Sequence, residues 1–431
     1  MKTFYVVEAL PCPDDGFPLV PGQNLVTGVP ELQRQLRVEL TSLEADLLTL
    51  AAAVYVADLA AKREERESFV RDMRIDIPLV NHHVFAAHSE TIAGILYLLS
   101  SDNWVINVLP KRGTQEQPMA WPAQAGTTLL FSGGLDSYSA AVELLEEDPD
   151  RELLLASHYT RNRVIQNSQN ELFRYLQGTF PSRVERVAVR VTGQGSGDLS
   201  FPGDADREPT QRTRSFLFLT IGAIVARRKG FHEVVVMAEN GQMAIHAPLT
   251  AARLGGFSTR TAHPEFLHEM QELLSTILAF QLSIANPFVY RTKAECIARI
   301  MTGHQQTVQA SVSCWSSARQ AFAHCGKCVP CLIRRIAIEW HGVRLPEYER
   351  DLLSENISAL PATDEGKRNI VDIADFVLHF GDQYTDAQLQ VEFPDMRNEY
   401  IDAGQALAMY RRFSREALAV FANYPGVQAI L

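Results

Sequence analysis

Two clusters in this sequence have the residue types and spacing for chemistry. The first is Leu129-Leu130-Phe131-Ser132-Gly133-Gly134-Leu135-Asp136-Ser137-Tyr138-Ser139-Ala140-Ala141, an apolar strand running into Ser-Gly-Gly with an amphipathic helix starting at once. Two adjacent glycines let the backbone turn sharply and approach a ligand, and the amides and dipole of the first helical turn favour an anion. Ser132 and Ser137 add hydroxyl donors. Asp136 is the exception, since a carboxylate repels a phosphate; a bound Mg²⁺ resolves the conflict, as does a carboxylate capping the loop backbone. The spacing and lysine of a Walker loop are missing, and the string is not the dinucleotide Gly-x-Gly-x-x-Gly. The bland alternative is an ordinary strand-to-helix turn.

The second cluster is cysteine. Of six cysteines, Cys314, Cys325, Cys328 and Cys331 fall within 18 residues, with Gly326 between the second and third. Four closely spaced thiolates suit tetrahedral zinc with no open position, hence a structural site. Free buried thiols, an iron–sulfur cluster and a redox role are the alternatives. Lys327, Arg334 and Arg335 stand near enough in sequence to offset a negatively charged centre, and His324 reads as a bystander. Cys12 and Cys296 have no partner pattern, and His82 and His83 carry no assignment.

The elements that must position these clusters alternate between strand and helix. Strands are expected at 127–131, 153–156, 184–191 and 233–237, with helices at 138–147 and 213–228, which predicts a parallel sheet covered on both faces. Residues 1–122 read as an N-terminal α+β module. It opens with a strand at 3–10 and a Pro/Gly-rich loop at 11–18, has a long helix over 42–67, and is followed by a linker at 112–118. Residues 123–340 hold both clusters, and 341–431 read as helical. At 431 residues the chain exceeds one ordinary core. With 46% hydrophobic and 21% charged residues the composition is that of a globular protein. No stretch predicts a membrane span or a signal peptide, so a cytoplasmic protein is expected. A net charge of −11 disfavours a broad nucleic-acid surface.

The phosphate-loop string resembles that of the PP-loop ATP pyrophosphatases. Together with the cysteine array about 180 residues later, it resembles the QueC branch, the 7-cyano-7-deazaguanine synthases. Arg212-Thr213-Arg214-Ser215-Phe216 is similar to that family's Gly-Arg-Asn helix start. Asn286-Pro287-Phe288 and Arg291-Thr292-Lys293-Ala294-Glu295 are similar to its Pro-rich strand and Thr-Lys-x-Glu helix start. The resemblance covers roughly residues 125 to 340. It implies a doubly wound, Rossmann-like fold, binding of ATP with Mg²⁺, and activation of a carboxylate, 7-carboxy-7-deazaguanine, as an adenylate with release of pyrophosphate. On this resemblance Phe131, Ser132, Gly133, Gly134, Leu135, Asp136 and Ser137, with Arg212 and Arg214, bind ATP. Ser132, Asp136, Ser137 and Lys293 carry the chemistry, Lys293 neutralising the leaving group. Glu239 and Asn240, expected just after a strand at the carboxyl edge of the sheet, contact the purine or the acceptor.

The departures from the family are specific. Neither terminal region belongs to it. His158-Tyr159-Thr160-Arg161 follows its Tyr-Gly-Gln-Arg only loosely, and the substrate loop is changed at Glu239-Asn240-Gly241 and at Ser258-Thr259-Arg260-Thr261. In length and added modules the chain is similar to the QueC-like proteins of bacterial anti-phage operons, the QatC component of the Qat system above all. The two added modules suit the presentation of a partner protein from the same operon, so transfer of the activated carboxyl to an amine on that partner, such as its N-terminus, is the expectation. Ammonia as acceptor, giving the nitrile, is one alternative, and a decayed nucleotide-binding scaffold is another. A tRNA-thiolating enzyme is disfavoured, because zinc would use up the cysteines and the acidic charge opposes tRNA.

Overall fold

The strand Thr127–Leu130 is buried at all four residues, which requires cover on both faces of its sheet. The computed structural model describes residues 1–8, 16–63, 70–115, 125–159, 161–231, 234–247, 260–317, 323–345, 348–380 and 383–431. Among them the strands are β1 (Lys2–Val6), β2 (Phe17–Leu19), β3 (Leu25–Val26), β4 (Asp72–Leu79), β5 (Asn103–Pro110), β6 (Thr127–Leu130), β7 (Leu153–His158), β8 (Val184–Val189), β9 (Thr192–Gly193), β10 (Val234–Val236) and β11 (Ile284–Ala285). The helices are α1 (Val29–Leu36), α2 (Ser42–Ala60), α3 (His82–Ala87), α4 (Ser89–Ser100), α5 (Leu135–Glu147), α6 (Arg163–Thr179), α7 (Arg214–Lys229), α8 (Gly241–Ala244), α9 (Pro264–Leu278), α10 (Lys293–Gly303), α11 (Val329–Trp340), α12 (Glu365–His379), α13 (Asp386–Glu392), α14 (Ala403–Phe421) and α15 (Pro425–Gln428). Cys12, the loop at 11–15, residues 116–118 of the expected linker, the 122/123 boundary, Thr160, Ser258 and Thr259 lie outside the described residues.

Two parallel sheets result. The central one has the order β11-β10-β6-β7-β8, with Leu129 facing Val236 on one side and Leu155 on the other. Alternate side chains leave a strand on opposite faces, and here they enter two different cores. Leu130, Leu154, Ala156 and Val235 join the core that contains α7 and α9, whereas Leu129, Leu153, Leu155 and Val236 join the core of α5 and α10. This is the doubly wound α/β layout expected. The N-terminal sheet, β2-β1-β4-β5, is also parallel throughout, so that region is itself α/β.

Helix α2 begins at a capping box. The Thr41 side chain accepts from the Glu44 amide, and the Glu44 carboxylate accepts from the Thr41 amide. It ends at Ala60, short of the expected 67. Fifteen of its nineteen residues are buried, and this all-round burial comes from its place between the N-terminal sheet and α7. A single apolar core therefore runs from Phe4 through α2 and α7 to Ile284. Charges are buried in the same interface. Glu44 accepts from Arg227 at 2.5 Å and also pairs with Arg228, and Asp58 accepts from Arg71 at 2.5 Å and from the Thr213 amide at 3.0 Å.

The C-terminal region is helical, as expected. Helices α11, α12 and α14 enclose one apolar cluster, and α14 also reaches α8. No helix among the described residues is long and apolar enough to cross a membrane.

Candidate functional site

Strand order places the site. From β6 the chain proceeds to β7 and β8 on one side, while β10 and β11 lie on the other, so β6 and β10 flank the point where the order reverses. In open α/β sheets the crevice outside the carboxyl ends at such a point is where ligands bind. The loop 131–134 leaves β6 there, and Ala238-Glu239-Asn240 leaves β10 beside it.

The loop is held from behind by its own backbone. Gly133 has φ +79°, the left-handed region that glycine enters without steric penalty. Its carbonyl accepts from the Ser168 hydroxyl at 2.7 Å and from the Val312 amide at 3.0 Å. The Phe131 carbonyl accepts from the Ser157 hydroxyl at 2.9 Å, and the Gln169 amide group reaches the Phe131 and Ser132 carbonyls at 3.4 and 3.3 Å. With its carbonyls tied back, the loop presents the start of α5, whose N-cap, Gly134, supplies no side-chain cap. Exposed Ser132 lies with its Oγ 3.2 Å from that of Ser137, so both hydroxyls stand at the same helix start. Phe131 and Leu135 are buried in the core beneath.

Asp136 is neutralised by a lysine. Its Oδ2 lies 2.7 Å from Lys293 Nζ and accepts from Asn240 Nδ2 at 2.9 Å. Lys293 is buried in this pair. It opens α10 behind a second capping box, in which Thr292 caps Glu295 and Glu295 returns to the Thr292 amide. The Thr-Lys-x-Glu pattern seen in the sequence thus fixes the helix that carries the lysine to Asp136. Beside this pair sits Glu239. Burial, and then the charge of Asp136, raise its carboxyl to about 7, against the opposing pull of Lys293 and Arg214. Asp136 Oδ1, Glu239 Oε2, Asn240 Oδ1 and Gln242 Nε2 are all buried without a hydrogen-bond partner among the described residues. Buried polar groups are rarely left unpaired, so this concentration at one end of the sheet marks a place where a polar ligand fits.

The two arginines separate. Arg214 is exposed at the start of α7, with its guanidinium 5.5 Å from the centre of the Phe218 ring, and its charge acts on Glu239. Arg212 goes elsewhere. It is buried and donates to the Ser100 carbonyl at 3.3 Å. Its neighbours are Arg63, Asp102, Glu208 and Asp58; burial, and then Arg63, push its guanidinium down to about 10. The structure therefore sets Arg212 in the interface with the N-terminal region rather than among the residues around the loop.

The four cysteines converge. All are buried, and their sulfurs lie within 4.8 Å of one another, with Cys325 to Cys331 at 3.9 Å and Cys314 to Cys328 at 4.0 Å. Tetrahedral ligands about 2.3 Å from zinc stand about 3.8 Å apart, so the thiols fit that ion. Backbone amides of Ser316, Cys325 and Cys328 point at the sulfurs at 3.3 to 3.4 Å, as expected around thiolates. His324 is not among the four. Its Nε2 accepts from the Ser313 amide at 3.3 Å. Lys327 pairs with Glu365 at 2.9 Å and Arg335 with Glu339 at 2.7 Å. Arg334 donates to the Ser311 hydroxyl and the Val308 carbonyl, both at 2.7 Å. It thereby holds the segment that runs from Val312, at the phosphate loop, to Cys314. Cys296 is a buried thiol within the core.

Several contributors carried no readable signal. Ser168, Gln169 and Val312 act through the loop backbone. Asn286 accepts from the Glu239 amide at 3.1 Å and donates to the Glu239 carbonyl at 2.8 Å. Glu416 on α14 accepts from the Thr292 hydroxyl at 2.7 Å, and burial raises its carboxyl to about 7. Only the Asn-Pro step after β11 hinted at such a role.

Residues 207–342 match the family model of the queuosine biosynthesis protein QueC. That stretch contains Glu239, Asn240, Lys293 and the four cysteines, and the phosphate loop precedes it. The chain is also similar to the 7-cyano-7-deazaguanine synthase of Halorhodospira halophila, with 26% identity over 254 residues, 53% of this chain and 97% of that protein. The synthase of Paracoccus denitrificans is 26% identical over 237 residues, 52% of this chain and 93% of its own. This chain is thus QueC-like over about half its length.

Proposed function

We propose that this QueC-like chain is an ATP-dependent ligase that adenylates the carboxylate of 7-carboxy-7-deazaguanine and transfers the acyl group to an amine on a partner protein, in the setting of anti-phage defence. The observation that carries the activation chemistry is the Asp136–Lys293–Asn240 cluster beside an open phosphate loop at the point where strand order reverses. In this reading residues 123–340 hold the chemistry, and the regions 1–122 and 341–431 are additions that present the partner.

The substrate carboxylate is already ionised, so its attack on the α-phosphorus of ATP needs no base. A substrate oxygen bonds to phosphorus, and the bond to pyrophosphate breaks with its electrons leaving on the pyrophosphate. Positioning and charge stabilisation supply the rate. Ser132, Ser137 and the first amides of α5 hold the pyrophosphate, Lys293 neutralises it as it leaves, and Arg214 meets the adenylate. Asp136, whose Oδ1 has no partner among the described residues, would hold the Mg²⁺ that accompanies ATP and adds positive charge at the phosphates. Zinc held by the four thiolates would be structural, since they would fill every ligand position.

A second reading has the names of the similar proteins in its favour: ammonia as the acceptor and the nitrile as the product. The same experiment tests both. The purified protein is incubated with ATP, Mg²⁺ and 7-carboxy-7-deazaguanine, together with ammonia or co-encoded proteins, and products are followed by mass spectrometry. AMP and pyrophosphate that form only with the deazapurine are expected, along with a mass increase on a protein. Free nitrile with no labelled protein would move the assignment to the second reading. No deazapurine-dependent AMP would remove both and leave either a different carboxylate substrate or a nucleotide-binding scaffold.

A further inference from the structure

Amide formation releases a proton that activation does not. The amine nitrogen gives its lone pair to the acyl carbon, the bond from that carbon to the AMP oxygen breaks, and the electrons leave on AMP. The nitrogen must then lose a proton. An α-amine, with an unperturbed value of about 7.7 to 8.0, must also lose one beforehand to expose its lone pair at neutral pH. A site that makes an amide therefore needs a proton acceptor beside the activated carboxyl.

Asp136 is committed, since its Oδ2 already holds Lys293 and Asn240. Glu239 is adjacent in sequence to Asn240 and differs in every relevant respect. Asn286 clamps its backbone on both sides, at 3.1 and 2.8 Å, which fixes where the side chain starts. Among the described residues its Oε2 is buried with no partner, and it forms no ion pair with any of them.

We propose that Glu239 is the general base of the transfer step, taking the proton from the amine that attacks the activated carboxyl carbon. This rests on the adenylation reading above. The charged groups that act on Glu239 are Asp136 from α5, Lys293 from α10 and Arg214 from α7. Burial and Asp136 outweigh the two cations and bring its carboxyl to about 7. Proton transfer from an α-amine is then close to balanced, the condition in which a general base is most effective. An ordinary glutamate, near 4.3, would be a weak base for the same amine.

The test separates the two half-reactions in the full-length protein. Activation is read as pyrophosphate exchange into ATP driven by 7-carboxy-7-deazaguanine. Transfer is read as amide formation with ammonium chloride or glycinamide, whichever the native enzyme accepts. Glu239→Gln is expected to slow transfer about 10²-fold more than it slows exchange. Hydroxylamine, which is unprotonated at neutral pH, should restore most of the transfer. Native transfer should rise with pH through about 7, and the variant should keep only the limb of the amine itself, at about 8 for an α-amine. Transfer that survives in Glu239→Gln, or exchange that falls as much as transfer in a variant with unchanged melting, overturns the assignment; the second result would make Glu239 a carboxylate-binding residue. If the variant does not fold, the native pH profiles decide. A glycinamide limb at about 7, below the amine's own ionisation at about 8, supports the base, and a limb that coincides with the amine's ionisation excludes it. If the native enzyme shows no exchange, the activation reading fails, and this proposal fails with it.

Discussion

At the scale of single residues, the phosphate loop depends on Gly133 more than on its hydroxyls. A β-carbon at Gly133 would stand 3.0 Å from both Ser168 Oγ and Gln169 Cγ, and the φ of +79° disfavours any side chain. Those two neighbours are the ones that tie back the loop carbonyls, so the substitution strains the backbone and displaces its supports together. Gly133→Ala is expected to lower stability by about 1–3 kcal/mol and to weaken ATP binding by more than tenfold, checked by thermal melting and by titration calorimetry. Weakened stability with unchanged ATP affinity would show that the loop does not contact the nucleotide. The Ser-Gly-Gly-Leu-Asp-Ser string was legible because its meaning is local: a turn type and a helix start. The partner of Asp136 was not, because Lys293 comes from a distant helix start and only the sheet order brings them to 2.7 Å. Arg212 shows the converse. A basic residue just before a helix start reads as an anion ligand, yet the fold draws it into a buried charged interface.

Elements couple the two clusters that the sequence shows as separate. The chain between the 3₁₀ turn Gln305–Ala310 and Cys314 contacts the phosphate loop through Val312, while Arg334 on α11 holds Ser311 and Val308. Helix α11 starts inside the cysteine array, with Cys328 as its N-cap. A metal that fixes the four thiols would thereby fix both ends of the brace behind Gly133. Removal of zinc by chelation, or Cys328→Ser, is expected to release one metal per chain, lower the melting temperature and weaken ATP binding in the same titration. An ATP affinity indifferent to the metal would confine the site to fold stability. Cysteine spacing alone disclosed the cluster of four thiols, since four such residues need only local chain to converge. The brace was hidden, because it runs through main-chain atoms that any residue at Val312 supplies.

Across the whole molecule, the expected N-terminal module is continuous with the rest in packing. Its helix α2 carried the clue, an apolar stretch too uniform for a helix with one wet face, but the sequence did not show which element covers the second side. That element is α7, and the interface contains charge as well as carbon. Glu44 is fully buried and accepts from Arg227, itself 1% exposed, and it also pairs with Arg228. Breaking a buried ion pair by removing one partner costs about 3–5 kcal/mol. Since α7 lies directly under β6, β7 and β10, that cost should reach the phosphate loop. Glu44→Gln is expected to lower stability by about 3 kcal/mol in one cooperative urea transition, with ATP binding lost at the same midpoint as the far-ultraviolet signal. Two transitions, with ATP binding preserved through the first, would show instead that the N-terminal region unfolds alone and that the nucleotide domain stands without it. The single transition is favoured because deleting residues 1–122 would expose the apolar face of α7 and leave Arg227 and Arg228 without Glu44. In packing, the N-terminal region forms one wall of the apolar core that also holds α7 and Leu130 of β6.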